Sequence, residues 1–434
     1  MKFSRLLTLI PFSAALSLIT LNAYGETLKE AVDMALKSHP QIKAQAYNRL
    51  ATDQQLKQAR GGYYPSLDFS AGAGYSRHRE PIVDTLHPLE SSVTLTQNLF
   101  NGFATSNGVQ QQQAAVAASS YKLQGASEAI AFEASRAYLE VIKTQRLLEI
   151  AKENLDKHKQ IMDKIKKRSD SGVGSKADTE QARGRLVLAE SNYIIAETNL
   201  QDSHSKYLSL IGRMPGDLTL PVVSGSELPA TMEIAVNLAI SNNPSLKAAE
   251  SEIRFREEDY QLMDSPYYPR VDLVLEQKWD EEISSVEERS DELSAMVKLR
   301  YNFFNGFRDD SRKSEKMQLI NAAREARNSA ERQVIESASL AWRAYRANEN
   351  RIELLKKRIQ YSKETAAAYS QQFEIQRRTL LDVLNAEAEA INSQAELVSA
   401  EIDKMIAQYH ILYISGKLVH HFGLEWPTGS IPEN

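Results

Sequence analysis

Two short stretches carry residue types capable of chemistry, and neither assembles an active site. Gly172-Val173-Gly174-Ser175-Lys176 has the glycines and the lysine of a phosphate loop. Such a loop needs a longer spacing between its glycines and a strand in front of it, and this stretch has neither. His420-His421 offers two imidazoles, but no third ligand stands at metal-like spacing, so no metal set is formed. No nucleophile elbow and no zinc-protease helix occurs. The chain has no cysteine, which excludes a disulfide framework, a thiolate metal site, a cysteine nucleophile and a lipidated N-terminal cysteine. The expectation is a protein without catalysis, cofactor or metal, whose function lies in its architecture.

The elements must therefore carry the function, and the first of them is an address. Residues 1–25 read as a secretory signal, with Lys2 and Arg5 before an apolar stretch from Leu6 to Leu21. Ala23-Tyr24-Gly25 is a small-x-small cleavage site, which puts the start of the mature chain, 26–434, at Glu26. No later segment offers about 20 consecutive apolar residues, so no helical membrane span is expected. Loss of Lys2 and Arg5 takes the formal charge from −5 to −7, an excess of acid that argues against a nucleic-acid partner.

The mature chain is one unit written twice. Phe100-Asn101-Gly102-Phe103 recurs as Phe304-Asn305-Gly306-Phe307, a separation of 204 from Phe100 to Phe304. The same separation relates Pro40 to Pro244, Tyr63-Tyr64-Pro65 to Tyr267-Tyr268-Pro269, Asp178 to Asp382 and Gly212 to Gly416. Repeat 1 covers 27–230 and repeat 2 covers 231–434, with no insertion between them. Each opens with a short helix ended by His39-Pro40 or Asn243-Pro244, because a residue before proline avoids the helical region. A second helix follows, up to Gly61-Gly62 or Ser265-Pro266.

The period then changes to two. Leu67, Phe69, Ala71, Ala73 and Tyr75 alternate with Asp68, Ser70, Gly72 and Gly74, and Val93, Leu95 and Leu99 alternate with Thr94, Thr96 and Asn98. In repeat 2, Val271, Leu273, Leu275 and Trp279 alternate with Asp272, Glu276 and Lys278, broken at Val274. Leu293, Ala295, Val297, Leu299, Tyr301 and Phe303 complete the set. Four strands of about ten residues, within about 66–99 and 270–303, have the length and one-sided apolarity of transmembrane β-strands. Four strands cannot close a barrel, and open edges are not tolerated in lipid. A cyclic homotrimer supplies twelve, whereas two copies would give a bore filled by side chains. The acidic stretch from Asp280 to Glu292 reads as a solvated loop at the outer face.

Between the strands lie helical stretches at about 104–211 and 308–415. From Asn101-Gly102 the chain runs without proline to Gly172, and the matching helix runs from Gly306 to about Gln376. Each is roughly 65–70 residues, or about 100 Å at 1.5 Å per residue. Val109, Val116, Leu123, Ile130 and Ala137 recur every seven, as do Leu384, Ile391, Val398, Met405 and Leu412 with Leu381, Ala388, Ala395, Ile402 and Tyr409. These heptad seams predict two antiparallel coiled-coil hairpins, with tips at Gly172–Lys176 and Arg377–Thr379.

Together with the Ala35-Leu36-x-x-His39-Pro40 opening and Leu381-Asp382-Val383-Leu384 after the second tip, these features resemble the TolC family of outer-membrane factors over the whole mature chain. The resemblance implies an α+β membrane protein. Its trimer would join four transmembrane strands per chain into a 12-stranded barrel, above a periplasmic α-barrel of long helices. It implies an outer-membrane location in a Gram-negative bacterium, contact with outer-membrane lipid, a periplasmic adaptor, and an inner-membrane ABC exporter or proton-driven pump. It also places a tunnel gate at the second tip, where Arg378 and Asp382 match the family's arginine and acid. Three Asp382 side chains would form a ring, which favours cation binding or a raised pKa. Two positions depart from the pattern: the family's second acid is Asn385 here, and its helix-linking tyrosine is Phe373. Both predict a looser or differently latched gate. The glycine often found at the second tip is Gln376. Gly172, Val173, Gly174 and Ser175, with Arg377, Arg378 and Thr379, are the expected adaptor-facing tips.

The leading expectation is an exit duct of a tripartite export system, with type I secretion of a large adhesin or toxin favoured over small-molecule efflux. The missing lipid cysteine and the resemblance of the chain's opening favour secretion. A structural coiled-coil envelope protein would account for the heptads but not for four amphipathic strands at matching places in the repeats.

Overall fold

The computed structural model describes residues 26–78, 84–172, 174–222, 228–281 and 289–432. The expected signal at 1–25, Val173 of the first tip, and Glu282, Glu287 and Glu288 of the acidic loop lie outside the described residues.

Each repeat opens as two helices around a proline. In repeat 1 these are α1 (Leu28–Ser38) and α2 (Pro40–Gly61). A capping box starts α1: Glu30 N–H donates to Thr27 Oγ1 at 3.3 Å, and Thr27 N–H donates to Glu30 Oε2 at 3.0 Å. His39 ends α1 in an extended conformation and caps α2, with Pro40 as the first helical residue. In repeat 2, α5 (Met232–Asn242) and α6 (Pro244–Leu262) meet in the same way at Asn243, whose Oδ1 accepts from Ser245 N–H at 2.9 Å.

Between these helix pairs, repeat 1 contains β1 (Ser66–Ala73), β2 (Ser76–His78), β3 (Asp84–Leu86), β4 (Leu89–Asn101), α3 (Ala104–Asp170) and α4 (Lys176–Ile211). Repeat 2 continues with β5 (Arg270–Glu281), β6 (Ser290–Arg300), α7 (Arg308–Glu374), α8 (Leu380–Ile414) and the short α9 (Leu418–His421). The small β2–β3 hairpin was not expected from the sequence. It spans only three residues a side and leaves no alternating pattern to read.

The four long strands form one antiparallel sheet in the order β1-β4-β5-β6. The two repeats join at its centre, where Thr94 pairs with Glu276 and Leu95 with Leu275. Apolar residues on one face stay uncovered: Leu67, Phe69, Leu293, Val297 and Leu299 are 65% to 77% exposed. The other face holds Val274 and Asp272, both buried. An exposed face dominated by apolar side chains, interrupted by Gln97 and Gln277, opposite a more polar one is the pattern of a strand with lipid on one side and lumen on the other. The sequence places Tyr301 and Phe303 in the fourth strand, but β6 ends at Arg300. Its inner neighbour β5 begins at Arg270, so pairing within the chain runs out there.

Helices α3 and α7 are each 67 residues, about 100 Å long. They fold back on α4 and α8 as antiparallel hairpins. Alanines in the seam bring the helices close: Ala134, Ala137, Ala182, Ala189, Ala338 and Ala341 are all buried. The expected seam position Leu381 is exposed and Leu380 is buried in its place, packed with Leu384 against Ile165 and Ala182 of the other hairpin. Among the described residues, no helix is long and apolar enough to cross a membrane.

The main core lies at the middle of α3, against the C-terminal ends of α4 and α8. Leu28, Val32 and Ala35 of α1 pack on Tyr138 and Val141 of α3, and Leu418, Val419 and Phe422 close over the same cluster. The Tyr138 hydroxyl lies 2.6 Å from the Glu26 carbonyl and 2.7 Å from that of Thr219. Glu128 of α3 is fully buried and accepts from Leu418 N–H at 2.9 Å and from the Trp426 indole at 3.0 Å.

Candidate functional site at the hairpin tips

Both tips turn through a residue of left-handed φ. At the second, Gln376 N–H donates to the Phe373 carbonyl at 3.0 Å and Arg377 N–H to the Gln372 carbonyl at 2.8 Å. This is a Schellman closure, and it needs a left-handed residue at its centre. Gln376 supplies it at φ +63°, and Gly172 supplies it at φ +79° in the first tip. Gly172 N–H donates to the Ser169 carbonyl at 3.0 Å. The stretch once comparable to a phosphate loop is therefore the turn ending a long helix, with no strand before it. His420 and His421 form no metal pair: His420 lies against Trp426 with ring centroids 4.3 Å apart, and His421 lies edge-on to Tyr409. Among the described residues, no cluster of three or more metal-ligating side chains occurs.

The next helix starts on a hydroxyl cap at both tips, Ser175 for α4 and Thr379 for α8. The second cap is a full capping box. Asp382 N–H donates to Thr379 Oγ1 at 3.2 Å, and Asp382 Oδ2 accepts from the Thr379 hydroxyl at 2.8 Å and its N–H at 3.2 Å. These bonds from Thr379, helped by the Arg378 charge, hold the Asp382 carboxyl below the usual range. Within one chain Asp382 is thus an ionised carboxylate, the opposite direction to the raised value considered for a ring of three.

Arg378 is held on its own hairpin. Its guanidinium stacks 4.3 Å from the Tyr369 ring centroid, its Nε donates to Gln372 Oε1 at 3.1 Å, and its Nη1 lies 3.9 Å from Asp382 Oδ2. Asn385 and Phe373 instead touch the first hairpin. Asn385 Oδ1 accepts from Arg185 Nη2 of α4 at 3.0 Å. Phe373 receives the Arg168 guanidinium of α3 over its ring, at 4.9 Å. Lys157 adds an ion pair to Glu387 at 3.4 Å. Between the tips, Ile161, Ile165, Phe373, Leu380 and Val383 floor a cavity of about 270 Å³ with Lys164, Lys167 and Arg168 at its rim.

Sequence reasoning missed Arg185, Arg168 and Lys157. The only signal for Arg185 was its place three residues after the seam alanine Ala182, on the same helix face. Beside Arg185 lies His158, buried with its Nδ1 lacking a protein partner. Burial and the Arg185 charge lower its pKa against the opposing pull of Glu387.

Comparison with known proteins agrees with this architecture. The profile of the family described as Outer membrane efflux protein matches residues 31–213 and 235–416, one block per repeat. The outer membrane efflux protein BepC of Brucella suis is 22% identical over 91% of this chain and 86% of its own length. The alkaline protease secretion protein AprF of Pseudomonas aeruginosa is 22% identical over 96% of this chain and 90% of its own. The crystal structure of the Campylobacter jejuni CmeC outer membrane channel superposes with a TM-score of 0.81 at 13% identity, over 90% of this chain and 86% of that one. The matching proteins are channels, placed at the outer membrane with an extension into the periplasm. The chain belongs to the outer membrane efflux protein family, the TolC-type outer-membrane channels of tripartite efflux and secretion systems.

Proposed function

We propose that three copies of this chain form an outer-membrane exit duct for type I secretion of a large protein, docked through a periplasmic adaptor to an inner-membrane ABC exporter. The observation that carries the duct is the four-stranded sheet with two open edges, continuous with helices about 100 Å long. Lipid tolerates no open edge, and three copies supply twelve strands. Secretion of protein is favoured by the absence of cysteine, which leaves no site for the lipid anchor common among drug and metal efflux members. It is also favoured by the likeness to a protein named for protease secretion.

The gate in this reading is the end of the α7–α8 hairpin. Asp382 from three copies forms a ring of ionised carboxylates, and the Arg185–Asn385 and Arg168–Phe373 contacts latch that hairpin to α3–α4. The turns around Gly172–Ser175 and Arg377–Thr379 are the adaptor-facing surface. Small-molecule efflux is the second reading, favoured by the likeness to BepC. Deleting the gene and measuring both the secreted proteome and drug susceptibility separates the two. Loss of one large secreted protein with unchanged susceptibility is the expected result; hypersensitivity with an unchanged secretome would overturn secretion.

A further inference from the structure

The internal repeat supplies a template for a contact that one chain cannot make alone. Within the chain, β4 of repeat 1 meets β5 of repeat 2. The corresponding meeting of repeat 2 with repeat 1 is β6 against β1, and these are the two free edges of the sheet. The seam within the chain shows what such a meeting contains. Phe100, Phe103 and Tyr268 pack edge-on as a triad, with centroids 5.3 to 6.3 Å apart. Asn98 Nδ2 donates to Asp272 Oδ1 at 2.9 Å. A Cβ on Gly102 would stand 2.5 Å from the Ser265 carbonyl oxygen and 2.8 Å from Tyr268 Cβ.

At the free edge the same set is half present. Phe304 and Phe307 form the same edge-on pair, with centroids 5.4 Å apart at 88°. The third ring is missing, and the repeat equivalent of Tyr268 is Tyr64, which is 73% exposed on the opposite edge. Gly306 has the left-handed φ of Gly102, but a Cβ there meets nothing within 4 Å. Among the described residues Asp68, the equivalent of Asp272, accepts a hydrogen bond from Ser66 of its own strand at 3.2 Å, and Asn302 stands where Asn98 does. The pairing pattern agrees. Beyond Thr96, β4 has no β1 partner and is held by β5 alone. Beyond Arg300, the equivalent position, β6 has ended and the chain has no strand partner among the described residues.

We infer that Tyr64 of one copy completes the Phe304–Phe307 triad of the next, and that β6 and β1 pair across that boundary in the register of β4 and β5. This rests on the three-copy reading and adds which residues meet. Subtracting or adding the repeat separation turns Leu95–Leu275 into Leu299–Ala71, Thr96–Val274 into Arg300–Ser70, and Asn98–Asp272 into Asn302–Asp68, each pair joining two copies. The partner is a second copy of this chain because this chain's own β1 edge carries the complementary set, Tyr64, Asp68 and Ala71, in the required order. Six aromatic triads then ring the periplasmic end of the barrel, alternately within and between chains, at the level where aromatic rings anchor in a membrane interface.

The absence of native cysteine makes the register directly testable. Ala71→Cys with Leu299→Cys places two thiols opposite each other between copies, about 4.5–5.5 Å apart at Cα. Oxidation in outer-membrane vesicles with copper phenanthroline should convert the chain to covalent dimer and trimer on a denaturing gel. Ala71→Cys with Val297→Cys is slipped by two residues, beyond the reach of a disulfide, and should yield about tenfold less product. A slipped pair that links as well as the matched pair overturns the register, as does a trimeric particle in which the matched pair gives no link. A monomeric particle with no link from any pair overturns the three-copy reading itself. Tyr64→Ala should lower the temperature at which the trimer dissociates in sodium dodecyl sulfate, Tyr64→Phe should not, and the equally exposed Tyr47→Ala should not. Wild-type dissociation of Tyr64→Ala would remove the triad.

Discussion

Replacing Asn385 with aspartate tests the proposed latch between α4 and α8. The change keeps an oxygen facing Arg185 Nη2 at 3.0 Å and adds a negative charge to it. A charge-assisted bond is roughly twice as strong as a neutral one. Asn385 is exposed, so the gain belongs in the range of surface ion pairs, about 0.5 kcal/mol per chain. Three latches acting together give about 1.5 kcal/mol, or roughly tenfold in the ratio of closed to open channels. One opposing effect accompanies it: three added carboxylates repel one another and the Asp382 ring. That repulsion acts at longer range and is screened at 1 M salt, where the Debye length falls to about 3 Å, whereas the contact pair is screened less. Single-channel recording in planar bilayers at 1 M potassium chloride therefore isolates the latch. Asn385→Asp should reduce open probability about tenfold there. Arg185→Ala should raise it, and Asn385→Asp should have no closing effect in the Arg185→Ala background. Equal open probability for Asn385→Asp and wild type, with Arg185→Ala also silent, would refute a latch between α4 and α8.

Three further outcomes follow from other parts of the chain. Asp382→Ala should weaken block of the reconstituted pore by trivalent cations. Because Thr379 holds the carboxyl low, the wild-type block should stay constant from pH 8 down to pH 5, and a block that titrates in that window would contradict the capping geometry. Asp272→Ala strips Arg270, Arg300 and Asn98 of their shared acceptor. Both guanidiniums are more than half exposed, so the cost is discounted to about 2 kcal/mol, read as a lower urea midpoint in detergent. Burial pushes the Glu128 carboxyl up to about 7 from 4.5. The folded chain then holds a proton that the unfolded chain releases between those values, so this group's contribution to stability rises as pH falls from 8 to 5, by at most about 3 kcal/mol. Glu128→Gln should remove that gain, so that wild-type stability minus variant stability is more positive at pH 5.5 than at pH 8; an unchanged difference would show that Glu128 does not titrate there.

Long-range periodicity was legible in the sequence because it is redundant. Four alternating strands, two helices of 67 residues and a repeat of constant separation each restate the same pattern many times. What stayed hidden depends on single side chains that tertiary contact re-purposes. Glu128 sits among heptad positions as an ordinary surface acid would, and only the returning tail, with Leu418 N–H and Trp426, makes it a buried acceptor. Arg185 looks like a solvated helix charge until α8 brings Asn385 against it. The exchange of Leu381 for Leu380 has the same origin, since contact with Ile165 and Ala182 of the other hairpin decides which leucine is buried.

The two tips differ in a way that bears on which hairpin moves. Caps and turn geometry survive the duplication, since Ser175 and Thr379 cap equivalent starts and Gly172 and Gln376 share a left-handed φ. Those are backbone requirements, and either repeat must meet them. The side chains on the turn have diverged. Position 174 is glycine, and a Cβ there would stand 2.8 Å from the Ser169 nitrogen, so the first turn is closed too tightly to carry a side chain. Its equivalent in the second tip is Arg378, stacked on Tyr369, where repeat 1 has the buried Ile165. Gln376 also holds a conformation that costs a non-glycine residue roughly 1 kcal/mol. A compact glycine turn suits a fixed support, while a strained turn carrying a cation and a carboxylate suits the element that opens. Gln376→Gly should relieve the strain and reduce the opening of the second hairpin, whereas Gly172→Ala should destabilise the first hairpin by about 1 kcal/mol without changing conductance. The reverse assignment of effects to the two tips would place the moving part on α3–α4.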